Sequence, residues 1–252
     1  MGRFSPGDPA EVRRLFDQIA PRYDQLNDLL SLGLHRPWKR QALAWIQPAA
    51  GQHLLDLCCG TGDLALLLAA RVRPGGTVLG LDAAAEPLEI AAARGRLQPW
   101  LPLRWQQGDA LATALPAASA HGAVVAYGLR NLADPAAGLL ERRRLLRPGG
   151  RAAVLDFNRP GEPGASSQRL YLRRLVVPTA ERYGVSEHYA YLEASLRRFP
   201  SGPEQEGLAH QAGFREARHR PLAAGLMGEL GVEGAAQAEV AQGAGATETQ
   251  EQ

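Results

Sequence analysis

His53-Leu54-Leu55-Asp56-Leu57-Cys58-Cys59-Gly60-Thr61-Gly62-Asp63-Leu64 decides how the rest of the chain reads. A short apolar run from His53 to Leu57 breaks into Gly60-Thr61-Gly62, and the residues from Asp63 to Ala70 then have helical character. A strand, a tight glycine turn and a helix form the unit from which ligand-binding α/β sheets are assembled. The pattern repeats downstream. Arg73-Pro74-Gly75-Gly76 is a turn, Thr77 to Leu81 is a second apolar strand ending at Asp82, and a helix follows from Ala85 to Arg94. Leu103 to Gln107 ends in Gly108-Asp109-Ala110, and His121 to Tyr127 is a fourth strand. A helix from Pro135 to Leu146 leads through the turn Arg147-Pro148-Gly149-Gly150 to a fifth strand, Ala152 to Phe157. Strands alternating with helices predict a parallel sheet covered on both faces, and continuous apolar strands are the signature of such burial.

The flanks do not alternate. Pro9 to Gln47 reads as helices: Val12, Leu15, Phe16 and Ile19 share one helical face, Pro21 breaks the run, and Trp38, Leu43 and Ile46 mark a third piece. An Arg- and Tyr-rich helical insertion covers 161–200, and Phe214 to Pro221 with Leu222 to Val232 reads as a closing hairpin. Gly234 to Gln252 is too polar and small to bury much and reads as a disordered tail. The expected organisation is therefore an N-terminal helical lid over 1–48, a ligand-binding domain over 49–233 with 161–200 as a substrate cap, and a tail over 234–252.

Composition narrows the function classes. A formal charge of +2 on 252 residues carries no nucleic-acid footprint. Lys39 is the only lysine among 28 basic residues. Cys58 and Cys59 are adjacent, a spacing poorly suited to a disulfide, and with two cysteines no structural metal is expected. A reducing, cytoplasmic setting follows. No apolar run reaches the ~18 residues of a membrane span, and Met1 to Asp8 contains no signal-peptide core. The composition admits a homodimer.

The chemistry concentrates where the strands end. Open α/β sheets bind ligands outside the carboxyl ends of their strands, and here these ends carry Asp56 with Gly60-Thr61-Gly62, then Asp82, then Asp109. Gly60-x-Gly62-x-x-Ala65 matches a dinucleotide pattern, but Asp56 and Asp63 would repel a pyrophosphate at the helix start. S-adenosylmethionine has no phosphate and carries an ammonium and a sulfonium, which acids attract. On this reading Asp56, Gly60, Thr61 and Gly62 face the methionine part, Asp82 takes the ribose hydroxyls, and Asp109 with Ala110 lies by the adenine. A nicotinamide-dependent oxidoreductase on the same sheet is the alternative.

Leu54 to Leu64 resembles motif I of the class I S-adenosylmethionine-dependent methyltransferases. Two further stretches are similar to the ubiquinone/menaquinone biosynthesis C-methyltransferases. One is Phe16-Asp17-x-Ile19-Ala20-Pro21-x-Tyr23-Asp24, continuing to Asn27-Asp28 and Ser31-Leu32-Gly33-x-His35-Arg36-x-Trp38-Lys39; the other is Tyr127-Gly128-Leu129-Arg130-Asn131. The resemblance runs from Val12 to Val232. The double cysteine, Asp156-Phe157-Asn158-x-Pro160, Glu187-His188-Tyr189-Ala190-Tyr191, and the run from Phe199-Pro200 to Glu204-Gln205 resemble the phototroph branch, which methylates 2-phytyl-1,4-naphthoquinone. The fold this implies is a Rossmann-like sheet of about seven strands, mostly parallel with the last antiparallel. The implied reaction is C-methylation of a lipophilic prenylated quinol with S-adenosylmethionine and no metal; demethylmenaquinol and demethoxyubiquinol enzymes are the near alternative. Tyr23 is implied at the donor site. The Ser that the family often has before the aromatic of its Gly-Leu-Arg-Asn motif is Ala126 here, so its role passes to the Ala126 backbone or to Tyr127.

The acceptor must be a quinol, because an oxidised quinone carbon is itself electrophilic. Arg130 is expected to stabilise the quinolate through a bound water, Asn131 to hold that water or a ring oxygen, and His188 to accept the proton. Arg169, Arg173, Arg174, Arg197 and Arg198 give the insertion a basic face suited to peripheral contact with anionic lipid.

Overall fold

The structure, a computed structural model, describes residues 7–31, 33–159, 161, 164–176, 178 and 186–236 of the 252. Helices α1 (Pro9–Ile19), α2 (Tyr23–Ser31) and α3 (His35–Ile46) precede the sheet. Asp8 caps α1 by accepting from the Ala10 and Glu11 amides, and Pro21 sits in the 3₁₀ turn (Ala20–Arg22) that separates α1 from α2. Then come β1 (His53–Leu57), α4 (Asp63–Arg71), β2 (Thr77–Asp82), α5 (Ala85–Arg96), β3 (Leu103–Gln107), β4 (Ala120–Ala126), α6 (Pro135–Leu145) and β5 (Leu146–Phe157). The insertion supplies α7 (Gly164–Tyr171), a π-helical turn (Leu172–Val176) and α8 (Ser186–Arg198). Helix α9 (Gly202–Gln211), β6 (Phe214–Leu222) and β7 (Met227–Gly234) close the fold.

The seven strands are ordered β3-β2-β1-β4-β5-β7-β6. β1 to β5 pair in parallel, and β7 runs antiparallel to both β5 and β6. The strand order reverses between β1 and β4, which is where such sheets open a ligand crevice. Residues on alternate sides of the pleat feed two cores. Leu54, Val78, Val124 and Leu155 pack with Leu43 and Ile46 of α3 and Leu64 and Leu68 of α4 on one face. Leu57, Leu81, Val125, Val154 and Val232 pack with Leu139 and Leu145 of α6 and Ala209 of α9 on the other. Apolar side chains removed from water on both faces are the main force holding the layers together.

Several boundaries differ from the sequence reading, among them the start of β7, which a 3₁₀ turn (Ala223–Gly225) moves from Leu222 to Met227. Tyr127 leaves β4 because its φ is 61°, so that strand ends at Ala126. β5 begins at Leu146, because Arg147-Pro148-Gly149-Gly150 stays within the strand: Gly149 takes a φ of 71° and its amide donates to the Ala235 carbonyl at 2.8 Å. That contact and the inclusion of Gly234 in β7 carry the ordered chain past the expected start of the tail; 237–252 lie outside the described residues. Among the described residues no helix is long and apolar enough to cross a membrane.

Candidate active site

The ends of β1, β2, β3 and β4 open into a cavity of about 420 Å³. Its floor is Cys58 and Gly60 after β1, Asp82 at the end of β2, Gly108 to Ala110 after β3, and Ala126 to Gly128 after β4. α1 and α2 form its roof through Val12, Phe16 and Tyr23. Phe16 and Tyr23 meet edge to face, with ring centroids 6.0 Å apart.

The glycine loop has its shape for steric reasons. Cys58, Gly60 and Gly62 have φ of 55°, 54° and 84°, a region costly for residues with a Cβ. A Cβ on Gly62 would also lie 2.6 Å from Cη2 of Trp105, a β3 side chain that packs beneath the loop. Asp56 anchors the helix that follows: its carboxylate, 1% exposed, accepts the Ala65 amide at 2.8 Å near the positive end of α4. Burial nevertheless pushes Asp56 up to about 7, with the Ala65 bond and Lys39 pulling the other way. Asp82 accepts from the Gly60 amide at 2.7 Å and the Ala84 amide at 2.9 Å, and burial raises its carboxyl above the usual range. Asp109 accepts from the Leu111 amide at 2.9 Å, and burial pushes the Cys58 thiol up to about 12, so Cys58 is a neutral wall.

Asp63 is not a bare acid. It pairs with Lys39 Nζ at 3.0 Å and Arg94 Nη2 at 2.7 Å, and these cations hold its carboxyl below the usual range against the cost of burial. The repulsion of phosphate that the sequence assigns to Asp56 and Asp63 is therefore weakened at Asp63, and Asp82 is the acid that faces the cavity next to the loop.

Across the cavity, a 3₁₀ turn (Leu129–Asn131) continues from Tyr127 and Gly128. Asn131 lines the cavity, and Arg130 lies behind it. The Arg130 side chain is buried beside Asp156 (Nε to Oδ1 3.3 Å), and its guanidinium lies 5.3 Å from the Phe157 ring centroid. Arg130 Nη1 donates to Asn131 Oδ1 at 2.7 Å, and the Tyr191 hydroxyl of α8 donates to the same oxygen at 3.0 Å. The Asn131 amide nitrogen donates to the Tyr127 carbonyl at 2.8 Å. With its oxygen doubly engaged, Asn131 has only its second N–H to offer a ligand. Arg198, at the end of α8, donates to the carbonyls of Arg130, Leu132 and Ala133 at 3.1, 2.5 and 3.3 Å.

Of the site residues read from the sequence, Tyr23, Gly60, Asp82, Asp109, Ala110, Ala126, Tyr127 and Asn131 line one cavity. Asp56 and Gly62 support the loop from behind, Thr61 turns toward α2, and Arg130 reaches the cavity only through Asn131. His188 falls within α8, but its side chain lies outside the described residues, as does that of Arg169. Arg198 departs from the lipid-facing role because its guanidinium is committed to backbone carbonyls; Arg197 pairs with Glu193 at 2.9 Å, and Arg173 and Arg174 are exposed. Sequence reasoning missed Tyr191 and Arg94 as site residues. Neither carries a local signal, since each acts on residues tens of positions away. Among the described residues no group of three or more His, Cys, Asp or Glu is placed to hold a metal ion.

Comparison with known proteins agrees with this geometry. The chain is 49% identical over 227 residues to a 2-phytyl-1,4-naphtoquinone methyltransferase of Synechococcus elongatus, covering 89% of this chain and 97% of that one. It is 41% identical to the chloroplastic 2-phytyl-1,4-beta-naphthoquinone methyltransferase of Arabidopsis thaliana, covering 87% and 86%. The fold matches the crystal structure of an S-adenosylmethionine-dependent methyltransferase from Aquifex aeolicus with a TM-score of 0.58 at 16% identity, covering 92% and 99% of the two chains. A methyltransferase from Thermotoga maritima matches with a TM-score of 0.58 at 17% identity, covering 87% and 98%. The model of the ubiE/COQ5 methyltransferase family matches residues 7–230, and the chain belongs to that family.

Proposed function

We propose that this methyltransferase carries a methyl group from S-adenosylmethionine to a ring carbon of a prenylated naphthoquinol, with 2-phytyl-1,4-naphthoquinol as the acceptor. The observation that carries the reading is the mixed lining of one cavity. Asp82 and Asp109 stand in it with the open backbone of Gly60, and Val12, Phe16, Leu132 and Ala133 add apolar wall. The acids suit a cationic, phosphate-free nucleoside and disfavour a dinucleotide. The apolar wall suits a flat ring and the start of its chain. The relatives at 41% and 49% identity, named for the phytyl naphthoquinone, support this acceptor over a benzoquinol.

S-adenosylmethionine, when bound, supplies an electrophilic methyl on a sulfonium. In this reading Asp82 accepts from the ribose hydroxyls, and Asp109 with Ala110 flanks the adenine. Charge disappears as the methyl moves, so the protein contributes alignment and exclusion of water more than charge stabilisation. Asn131 offers its remaining N–H to a ring oxygen, where it favours the anion formed when the phenol loses its proton. Arg130 acts through Asn131 as a positioning residue, its own cation balanced by Asp156. His188 is the proposed proton acceptor. The N-terminal helices act as a lid and 161–200 as the cap on the acceptor side. The apolar phytyl chain favours partition of the acceptor into a bilayer, and exposed Leu170 with Arg173 and Arg174 gives the insertion a surface for peripheral contact with one.

An anaerobic assay with labelled donor tests the reaction class. Methyl transfer is expected with the dithionite-reduced acceptor and is expected to be absent with the oxidised quinone. Equal turnover of the oxidised form would remove the quinol mechanism.

A further inference from the structure

We propose that Arg94 is a positioning residue for donor binding: it latches the lid helix α2 onto the glycine loop, and so assembles the donor end of the cavity. The inference rests on the donor reading given above. The roof of the cavity is attached to the body of the protein by polar contacts on two sides. At one, Asp17 of α1 accepts the Glu86 amide at the start of α5 at 3.0 Å. At the other, Asp24 of α2 accepts from the Thr61 hydroxyl at 2.7 Å through one oxygen and from Arg94 Nη1 at 3.1 Å through the other.

Arg94 reaches further than this one partner. Its Nη1 also donates to the Thr61 carbonyl at 3.0 Å, and its Nη2 pairs with Asp63 at 2.7 Å. One guanidinium on α5 thus joins the lid, the glycine loop and the first turn of α4. A planar fork with five donors can span three acceptors; a lysine ammonium at the same position would reach fewer. The charges are matched, two acids against Arg94 and Lys39, and the Lys39 side chain is buried against Asp63 and the Tyr127 ring. Without Arg94, Asp24 keeps only the Thr61 hydroxyl among these partners, and Asp63 only Lys39.

The latch bears on the donor because Tyr23 precedes Asp24. Its ring carbon Cε1 lies 3.9 Å from where a Cβ on Gly60 would stand, so the lid rests on the residue that must stay open for the donor. Releasing Asp24 lifts Tyr23 from Gly60 and opens that end of the cavity. The Arg94 and Asp24 side chains are 35% and 45% exposed, so the latch is reversible: water can replace these bonds when the lid lifts for donor exchange.

The test is binding of S-adenosylhomocysteine by titration calorimetry, together with steady-state kinetics, for the full chain and for Arg94→Gln, Arg94→Lys, Asp24→Asn and the Arg94→Gln/Asp24→Asn double variant. Arg94→Gln is expected to raise the donor Kd and KM by about tenfold, with acceptor KM and kcat at saturating donor changed by less than about threefold. Arg94→Lys is expected to recover part of the loss. Asp24→Asn should weaken the donor in the same way, and the double variant should be no worse than Arg94→Gln, because both remove one contact. A donor Kd in Arg94→Gln and Asp24→Asn equal to that of the parent would overturn the latch. So would a loss in which donor KM, acceptor KM and kcat fall off together in step with the melting temperature, the behaviour of a merely structural ion pair. A parent protein that binds no S-adenosylhomocysteine would instead overturn the donor reading, and the latch with it.

Discussion

Asp56 shows how a residue at a ligand-binding strand end can serve the fold first. Its carboxylate is sealed behind the glycine loop, where it orders the first turn of α4 through the Ala65 amide. The same burial sets a pH dependence. In the unfolded chain an Asp titrates near 3.9, whereas in the fold Asp56 is pushed up to about 7, chiefly by desolvation. Between those values the folded state holds a proton that the unfolded state has lost, so stability falls as pH rises through that window and levels off above it. Asn in its place keeps an oxygen for the Ala65 amide and does not titrate. Asp56→Asn is therefore expected to gain about 2–3 kcal/mol relative to the parent between pH 5 and pH 8, measured by urea unfolding at both pH values. Parallel profiles for the two proteins would show that Asp56 is ionised throughout. Arg142 is also fully buried; among the described residues its guanidinium nitrogens have no hydrogen-bond partner, and burial pulls it down to about 10, still a cation at neutral pH.

At the scale of elements, legibility follows the distance over which a signal acts. β1 and β2 are readable because each is an apolar run leading to an acid or a glycine turn, and β3 because it runs into Gly108-Asp109; their observed bounds agree with that reading. The three N-terminal helices were readable from the 3.6-residue spacing of Leu15 and Ile19 and from the break at Pro21. The start of β5 is not readable, because Pro148-Gly149-Gly150 carries every local sign of a turn; the segment is an irregularity inside the strand, held by the pairing of Leu146 with Ala120 and by the bond from Gly149 to Ala235 at the far end of the chain. The contacts that complete the site were also hidden. Asp24, Thr61 and Arg94 come together from three helical and loop segments, and Tyr191 reaches Asn131 across 60 positions. The insertion has a further role at this scale. α8 holds the Leu129–Asn131 turn through Tyr191 and Arg198, while α7 and the following π-helical turn expose Leu170, Arg173 and Arg174. An apolar side chain among cations suits an anionic bilayer surface. Flotation with anionic liposomes is expected to carry part of the protein upward, less so in high salt; recovery of all of it in the soluble fraction, with and without anionic lipid, would argue against membrane contact by this insertion.

The whole molecule brings acidic and apolar residues into one cavity, under a roof that is not part of the sheet. The parallel strands and their glycine loop form the floor of that cavity, on a fold shared with methyltransferases only 16–17% identical to this chain. Val12 and Phe16 of the lid, with Leu132 and Ala133 after the 3₁₀ turn, add the apolar walls, and the proposed function assigns acceptor specificity to them. The choice of ring and chain is thus the claim that most exposes the account to contradiction. The most direct test supplies labelled S-adenosylmethionine with the reduced forms of demethylphylloquinone, demethylmenaquinone and a demethylated benzoquinone, side by side, and identifies each product by mass. The account predicts transfer to the ring carbon of the naphthoquinols, fastest with the phytyl-bearing one, and little with the benzoquinol. Equal use of all three would contradict the assignment of specificity to these walls, and no transfer to any of them, with donor binding intact, would contradict the quinol reaction itself.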